Sequence, residues 1–237
     1  MQVVILAGGE GTRMLPATAT VAKAMLPIAG FPFVDWQLAR VRRHPIDNIL
    51  LCVGRFGGQI ISHLGSGNST YVRDIGLKYS WEPYKLGTLG ALVYAHKKGL
   101  LEENFTLTYG DTWHQFDMLG PMRELARSNE KTAGVMAIHM TKTIQGSGNV
   151  NLYQGDAASV ADYGPGVGGF EDSGCIALRR KVLDNYTLPY RDEPLDLRVL
   201  WASLINQNAL KAHPLLAPPY EMGSPNGFAE LEERLTG

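Results

Sequence analysis

The chain has 237 residues, 45% hydrophobic and 19% charged, with a formal net charge of -1 at pH 7. That balance excludes a disordered chain, and the length suits a single α/β unit. The near-zero charge leaves no basic field for nucleic acid or an acidic membrane, and Arg42-Arg43, Lys97-Lys98 and Arg179-Arg180-Lys181 read as solvated helix faces or ends.

Gln2 to Leu6 is a short β-branched run that predicts a strand, breaking off at Ala7-Gly8-Gly9-Glu10-Gly11-Thr12-Arg13. The spacing of Val34, Leu38 and Val41 predicts a helix over Val34 to Arg42. A buried strand over Asn48 to Val53, closed by Gly54, precedes a helix over Gly57 to Leu64 that Gly65-Ser66-Gly67-Asn68 should stop. Then come a strand over Leu77 to Trp81, a helix over Thr88 to Lys98 and a strand over Phe105 to Tyr109, ending in Gly110-Asp111-Thr112. This alternation predicts a doubly wound, Rossmann-like α/β fold: a mostly parallel, mixed sheet in three α/β/α layers. Further strands are expected over Ala133 to Met140, Asn149 to Tyr153 and Gly174 to Leu178, and helices over Pro194 to Gln207 and Pro225 to Leu235. Gly164 to Gly169 is the candidate mobile loop. No repeat or low-complexity linker divides the chain, so residues 1–237 are expected to form one domain.

No apolar stretch approaches the roughly 20 residues that span a bilayer, and the N-terminus lacks the features of a signal peptide. Cys52 and Cys175, far apart within apolar runs, read as buried free thiols of a reducing compartment. A cytoplasmic location is expected, with no membrane and no nucleic-acid partner.

Glycines after a strand let backbone N–H groups approach phosphate. The Walker string is absent here. The dinucleotide fingerprint fails too, because Met14 stands where its third glycine belongs and Asp47 precedes the second strand instead of ending it. What remains is Leu6-Ala7-Gly8-Gly9-Glu10-Gly11-Thr12-Arg13-Met14-Leu15-Pro16, followed by Lys23-Ala24-Met25-Leu26-Pro27. This resembles the signature of the sugar-1-phosphate nucleotidylyltransferases, whose fold is GT-A-like, and in flavour the heptose- and mannose-1-phosphate guanylyltransferase branch.

The resemblance implies that the loop (Leu6, Ala7, Gly8, Gly9, Gly11, Thr12) wraps a triphosphate, with Arg13 and Lys23 as catalytic cations. Glu82-Pro83 and Leu86-Gly87-Thr88 resemble the base-reading segment, Gly110-Asp111-Thr112 the metal motif, and Tyr220-Glu221-Met222-Gly223-Ser224-Pro225 a late segment usually written Asp-Ile-Gly-Thr-Pro. Asp111 is the implied catalytic metal ligand and Glu221 the second, both toward Mg2+. Residues 1–112 would mainly bind nucleotide and 113–237 mainly sugar phosphate. No C-terminal β-helix domain is expected.

The pattern breaks on the acceptor side. Asp162-Tyr163-Gly164 stands in place of Glu-Lys-Pro, without the lysine, and Asp172-Ser173-Gly174 in place of Asn-Ala-Gly. Asp162, Asp172, Gly148, Gly110 and Glu221 are the candidate sugar-phosphate residues, the two aspartates reading equally well as solvated loop residues.

Joining two phosphorylated molecules is mainly charge neutralisation and alignment, which suits magnesium on one or two carboxylates. No Ser-His or Cys-His constellation calls for a protein nucleophile, and six scattered histidines give no zinc spacing. His114, near Asp111, reads as a surface or packing residue. A Glu82 carboxylate matches the paired N1–H and N2–H donors of guanine, which favours GTP. The expected reaction is in-line attack of a sugar 1-phosphate on the α-phosphorus, releasing pyrophosphate. The alternatives are a non-catalytic nucleotide sensor, or a transferase using UTP or CTP with another phosphorylated acceptor. A homo-oligomer is possible.

Overall fold

The computed structural model describes residues 1–65, 70–141 and 148–237. Ser66 to Asn68, part of the expected helix stop, lie outside them.

Strand β1 (Gln2–Ala7) sends alternate side chains into two cores, as the two-residue period of a strand requires. Val3 and Ile5 pack with Val34, Leu38, Ile60 and Leu64, whereas Val4 packs with Leu89, Leu92 and Trp201. A hairpin of β2 (Pro27–Ile28) and β3 (Phe31–Pro32) leads into helix α1 (Phe33–Val41). Then follow β4 (Asn48–Val53), α2 (Gly57–Gly65), β5 (Gly76–Trp81), α3 (Gly87–Lys97) and β6 (Asn104–Tyr109), each close to its expected span. Their order across the sheet is β5-β4-β1-β6, all parallel. The chain winds outward to β5 and returns to the far side of β1, so its direction of winding switches between β1 and β6. Crevices at such switch points, outside the strand C-termini, are where open α/β sheets bind ligands.

The second half comprises β7 (Thr112–Trp113), α4 (Gly120–Arg127), β8 (Gly134–Met140), β9 (Gly148–Tyr153), β10 (Asp156–Gly168), β11 (Phe170–Arg179), α5 (Leu197–Asn206), β12 (Leu210–Pro214), β13 (Tyr220–Glu221) and α6 (Pro225–Thr236). It continues the same sheet as β11-β8-β12-β10-β9, with β11 antiparallel to β6 and, among the described residues, only the β12–β8 pair parallel. The mostly parallel character therefore holds for the first half alone. Helices cover both faces: α1, α2 and α4 on one, α3 and α5 on the other. Among the described residues no helix is long and apolar enough to cross a membrane.

Four expectations change. Gly164 to Gly168 belong to β10, not to a loop: a Cβ on Gly168 would stand 1.9 Å from the Val150 carbonyl oxygen, so glycine there permits close strand approach. α5 starts at Leu197 instead of Pro194, because Asp196 caps it by accepting the Arg198 N–H at 2.8 Å. β11 begins at Phe170, and Gly174 (φ 67°) marks its bulge. α4, β10 and β12 were not expected at all. His114 is buried, its Nε2 2.7 Å from Thr108 Oγ1, and burial followed by Arg40's charge lowers its pKa to about 3. It is a packing residue, not a surface one.

Candidate active site

The glycine loop leaves β1 and turns at Gly11, whose φ of 65° suits glycine and whose missing Cβ would lie 2.9 Å from Thr18 Cγ2. Thr18 Oγ1 donates to the Gly11 carbonyl at 2.8 Å, closing the loop on itself. Gln59 of α2 then fixes the returning chain: its Oε1 accepts from Ala22 N and its Nε2 donates to Thr20 O, both at 2.8 Å. Lys23 follows directly, and its Nζ lies 2.6 Å from Asp111 Oδ2.

Asp111 is held from three sides. Gly110 N donates to Leu6 O at 2.9 Å, so close that a Cβ on Gly110 would stand 2.6 Å from that oxygen. Gln37 of α1 donates to the carbonyls of Tyr109 and Thr112 at 2.7 and 3.0 Å. Met222 N donates to Asp111 O at 2.8 Å, and β13 pairs with β7 so that Glu221 lies opposite Thr112. Glu221 is exposed in part to solvent, yet its carboxyl is raised above the usual range, first by loss of surrounding water and then by Asp111; Arg13 and Lys23 oppose the shift. Arg13 crosses from the glycine loop to this segment, Nη2 lying 3.0 Å from where a Gly223 Cβ would be.

At the other end, Glu82 follows β5. Its backbone N–H donates to Val53 O at 3.0 Å, and its Oε2 accepts from Leu86 N at 3.1 Å. A Cβ on either Gly8 or Gly54 would come within 2.6 Å of Oε1, so both glycines make room for this carboxylate. Burial raises the Glu82 pKa; the Leu86 hydrogen bond acts the other way. Burial also pushes the nearby Cys52 thiol up to about 12, so it is inert.

The glycine loop, Lys23, Asp111 and Glu82 line one cleft of about 330 Å³. The structure brings together Leu6, Ala7, Gly8, Gly9, Gly11, Thr12, Arg13, Lys23, Glu82, Gly87, Thr88, Gly110 and Asp111 on its walls. Sequence reasoning missed Glu10, Lys85, Tyr109 and Cys52, which also line it. Gln37, which pins the Asp111 segment, was missed as well; a lone glutamine on a helix face carries no sequence signal. Pro83, Gly148, Asp162, Asp172 and Glu221 do not line this cleft. Glu221 adjoins it through Asp111, and Asp172 through the Tyr109 hydroxyl at 3.5 Å. Asp162 is exposed and accepts from Tyr163 N, and Gly148 packs against the Phe170 carbonyl.

Among the described residues no group of three or more His, Cys, Asp or Glu is arranged to hold a metal. Asp111 and Glu221 nevertheless form a mutually repelling carboxylate pair beside two cations. Two carboxylates with room for phosphate oxygens and water fit a hard divalent ion such as magnesium.

Sheet, switch point and cleft together define the nucleotidyltransferase, GT-A-like class of α/β fold. A family model described as nucleotidyl transferase matches residues 2–158, and the chain belongs to that family. It is 38% identical over 96 residues, 40% of each chain, to N-acetylmuramate alpha-1-phosphate uridylyltransferase of Neisseria meningitidis. It is 31% identical over 118 residues to D-glycero-alpha-D-manno-heptose 1-phosphate guanylyltransferase of Aneurinibacillus thermoaerophilus, covering 50% of this chain and 49% of that one. These matches span less than half the length of either relative. The crystal structure of HddC from Yersinia pseudotuberculosis complexed with GMP-PN shares the fold, with a TM-score of 0.78, 21% identity and 99% of both chains covered.

Proposed function

We propose that the protein is a sugar-1-phosphate nucleotidylyltransferase, joining GTP by preference to a heptose or hexose 1-phosphate and releasing pyrophosphate. The observation that carries this is the layout of the cleft along the sheet edge. Glu82 follows β5 and Asp111 follows β6, with Gly54 and the glycine loop after β4 and β1 between them. Three strand spacings of about 4.8 Å separate the two carboxylates' strands, roughly 14 Å, which suits a base at one end and an α-phosphate at the other. The family relatives named above act on sugar 1-phosphates, which supports the acceptor class.

In this reading the loop amides from Gly8 to Thr12 face the triphosphate, and Arg13 and Lys23 neutralise it as it approaches a second anion. Asp111 and Glu221 would hold a magnesium ion, which supplies charge stabilisation at the α-phosphate. A phosphate oxygen of the acceptor bonds to the α-phosphorus as the bond to the β-phosphate's bridging oxygen breaks, and pyrophosphate departs with that electron pair. No protein nucleophile or proton relay is required. The Neisseria relative supports a second reading in which UTP is the donor.

The test is pyrophosphate release with magnesium, each nucleoside triphosphate being paired with a panel of hexose and heptose 1-phosphates. Release should require one triphosphate and one sugar phosphate, and Asp111→Ala should lower it by at least about a thousandfold. Binding without turnover across the panel would favour a sensor; absence of nucleotide binding would overturn the reading.

A further inference from the structure

The loop after β5 carries a second group that faces the nucleotide end of the cleft. Lys85 lines the cleft, and its Nζ lies 2.8 Å from Glu10 Oε2 on the glycine loop, so the pair spans the mouth. Both side chains are exposed, Lys85 the more so, and an exposed pair contributes only about 0–1 kcal/mol to stability. It is therefore weak as a structural tie and cheap to open.

Lys85 rides on the turn closed by the Leu86 N–H to Glu82 Oε2 hydrogen bond, and its charge acts on the Glu82 carboxyl. It also stands at the β5 end of the sheet, about three strand spacings from the Asp111 end. That position suits contact with a base rather than with the α-phosphate.

We propose that Lys85 is a base-selecting residue, released from Glu10 when nucleotide enters and donating to a carbonyl oxygen of the base beside the N–H that Glu82 accepts. The proposal rests on the nucleotidylyltransferase reading above. Its chemistry divides the bases in two ways. Guanine, uracil and thymine present a carbonyl oxygen next to a ring N–H, which an ammonium and a carboxylate match. With Lys85 kept on the exocyclic group and Glu82 on the ring nitrogen, adenine and cytosine set an amino group against the ammonium and a bare nitrogen against the carboxylate, so both contacts are lost. Lys85 thus separates keto from amino bases. Glu82 separates guanine, with its extra N2–H donor, from uracil and thymine, whose O2 would face the carboxylate.

The experiment is calorimetric binding of GTP, UTP, ATP and CTP to wild-type protein, Lys85→Met, Lys85→Arg and Glu82→Gln, with pyrophosphate release measured in parallel. Lys85→Met should weaken GTP and UTP together by about tenfold, as for one lost charge-assisted hydrogen bond, while ATP and CTP stay as weak as before. Lys85→Arg should restore most of that loss, and Glu82→Gln should change the GTP-to-UTP ratio instead. Equal weakening of all four nucleotides, or of none, would overturn the role of Lys85 while leaving the enzyme reading intact. Wild-type protein that binds no triphosphate would overturn both.

Discussion

Asp172 accepts hydrogen bonds from Gly174 N at 2.8 Å, from Tyr163 Oη at 3.3 Å and from Tyr109 Oη at 3.5 Å. Burial outweighs them and pushes its carboxyl up to about 6. An unfolded aspartate titrates near 3.9, so between about pH 4 and pH 6 the folded chain binds more protons than the unfolded one. Stability from this group is full below about pH 4, falls as pH rises through 6, and is level above. Asp172→Asn keeps an oxygen to accept from Gly174 N, turns its NH2 to donate to the tyrosine hydroxyl oxygens, and removes the charge. It should be more stable than wild type at pH 7, by on the order of 2 kcal/mol, and nearly equal to it at pH 4. Urea denaturation at both pH values checks this; an identical difference at each would rule out the carboxylate as the cause. At this scale the sequence exposed the residues with ordered neighbours, such as Lys23 and Asp111 in their motifs. It was silent on Lys85 and Gln37, whose meaning depends on what lies across the cleft or beneath the strand.

The elements that read clearly were those with strong periodicity or clean caps. β4 is six consecutive residues, all but the first buried, and α6 opens on Ser224 accepting from Gly227 N with Pro225 in its first turn. α4 escaped because it is one short helix with only Met122 and Leu125 as buried large apolar residues. β10 escaped because its glycines look like loop and serve strand approach instead. α3 shows how an element joins the site. Gly87 has φ 79°, and the N–H groups of Leu89 and Gly90 donate to Leu195 O at 2.9 and 3.2 Å. A Cβ on Gly87 would lie 2.5 Å from that same oxygen. Gly87→Ala should therefore lower stability by at least about 2 kcal/mol and weaken nucleotide binding, since Gly87 and Thr88 line the cleft. A urea midpoint matching wild type would show that the backbone accommodates the methyl group.

Across the molecule, one nine-stranded sheet joins both halves of the chain. One core cluster contains Val4, Leu50 and Leu89 from the first half and Met136, Ile176 and Trp201 from the second. We expect the halves to unfold together. Trp201 is fully buried, and Trp201→Ala should cost about 3–5 kcal/mol. In hydrogen exchange under rising denaturant, amides of β4 and β8 should lose protection at the same midpoint in wild type, and at a lower shared one in the variant. Separate midpoints would mean two independent units.

The sequence alone determined the alternating first half, the glycine loop, and the short motifs that carry Lys23 and Asp111, because these depend on local periodicity and short ordered strings; that the two side chains meet across 88 positions is tertiary. Only the tertiary structure decided which residues share the cleft. Glu82 and Asp111 gain their relation from sheet order, and Lys85 and Glu10 meet across 75 positions of chain. Strand order is set by how helices bury both faces of the sheet, and no run of neighbouring residues encodes it.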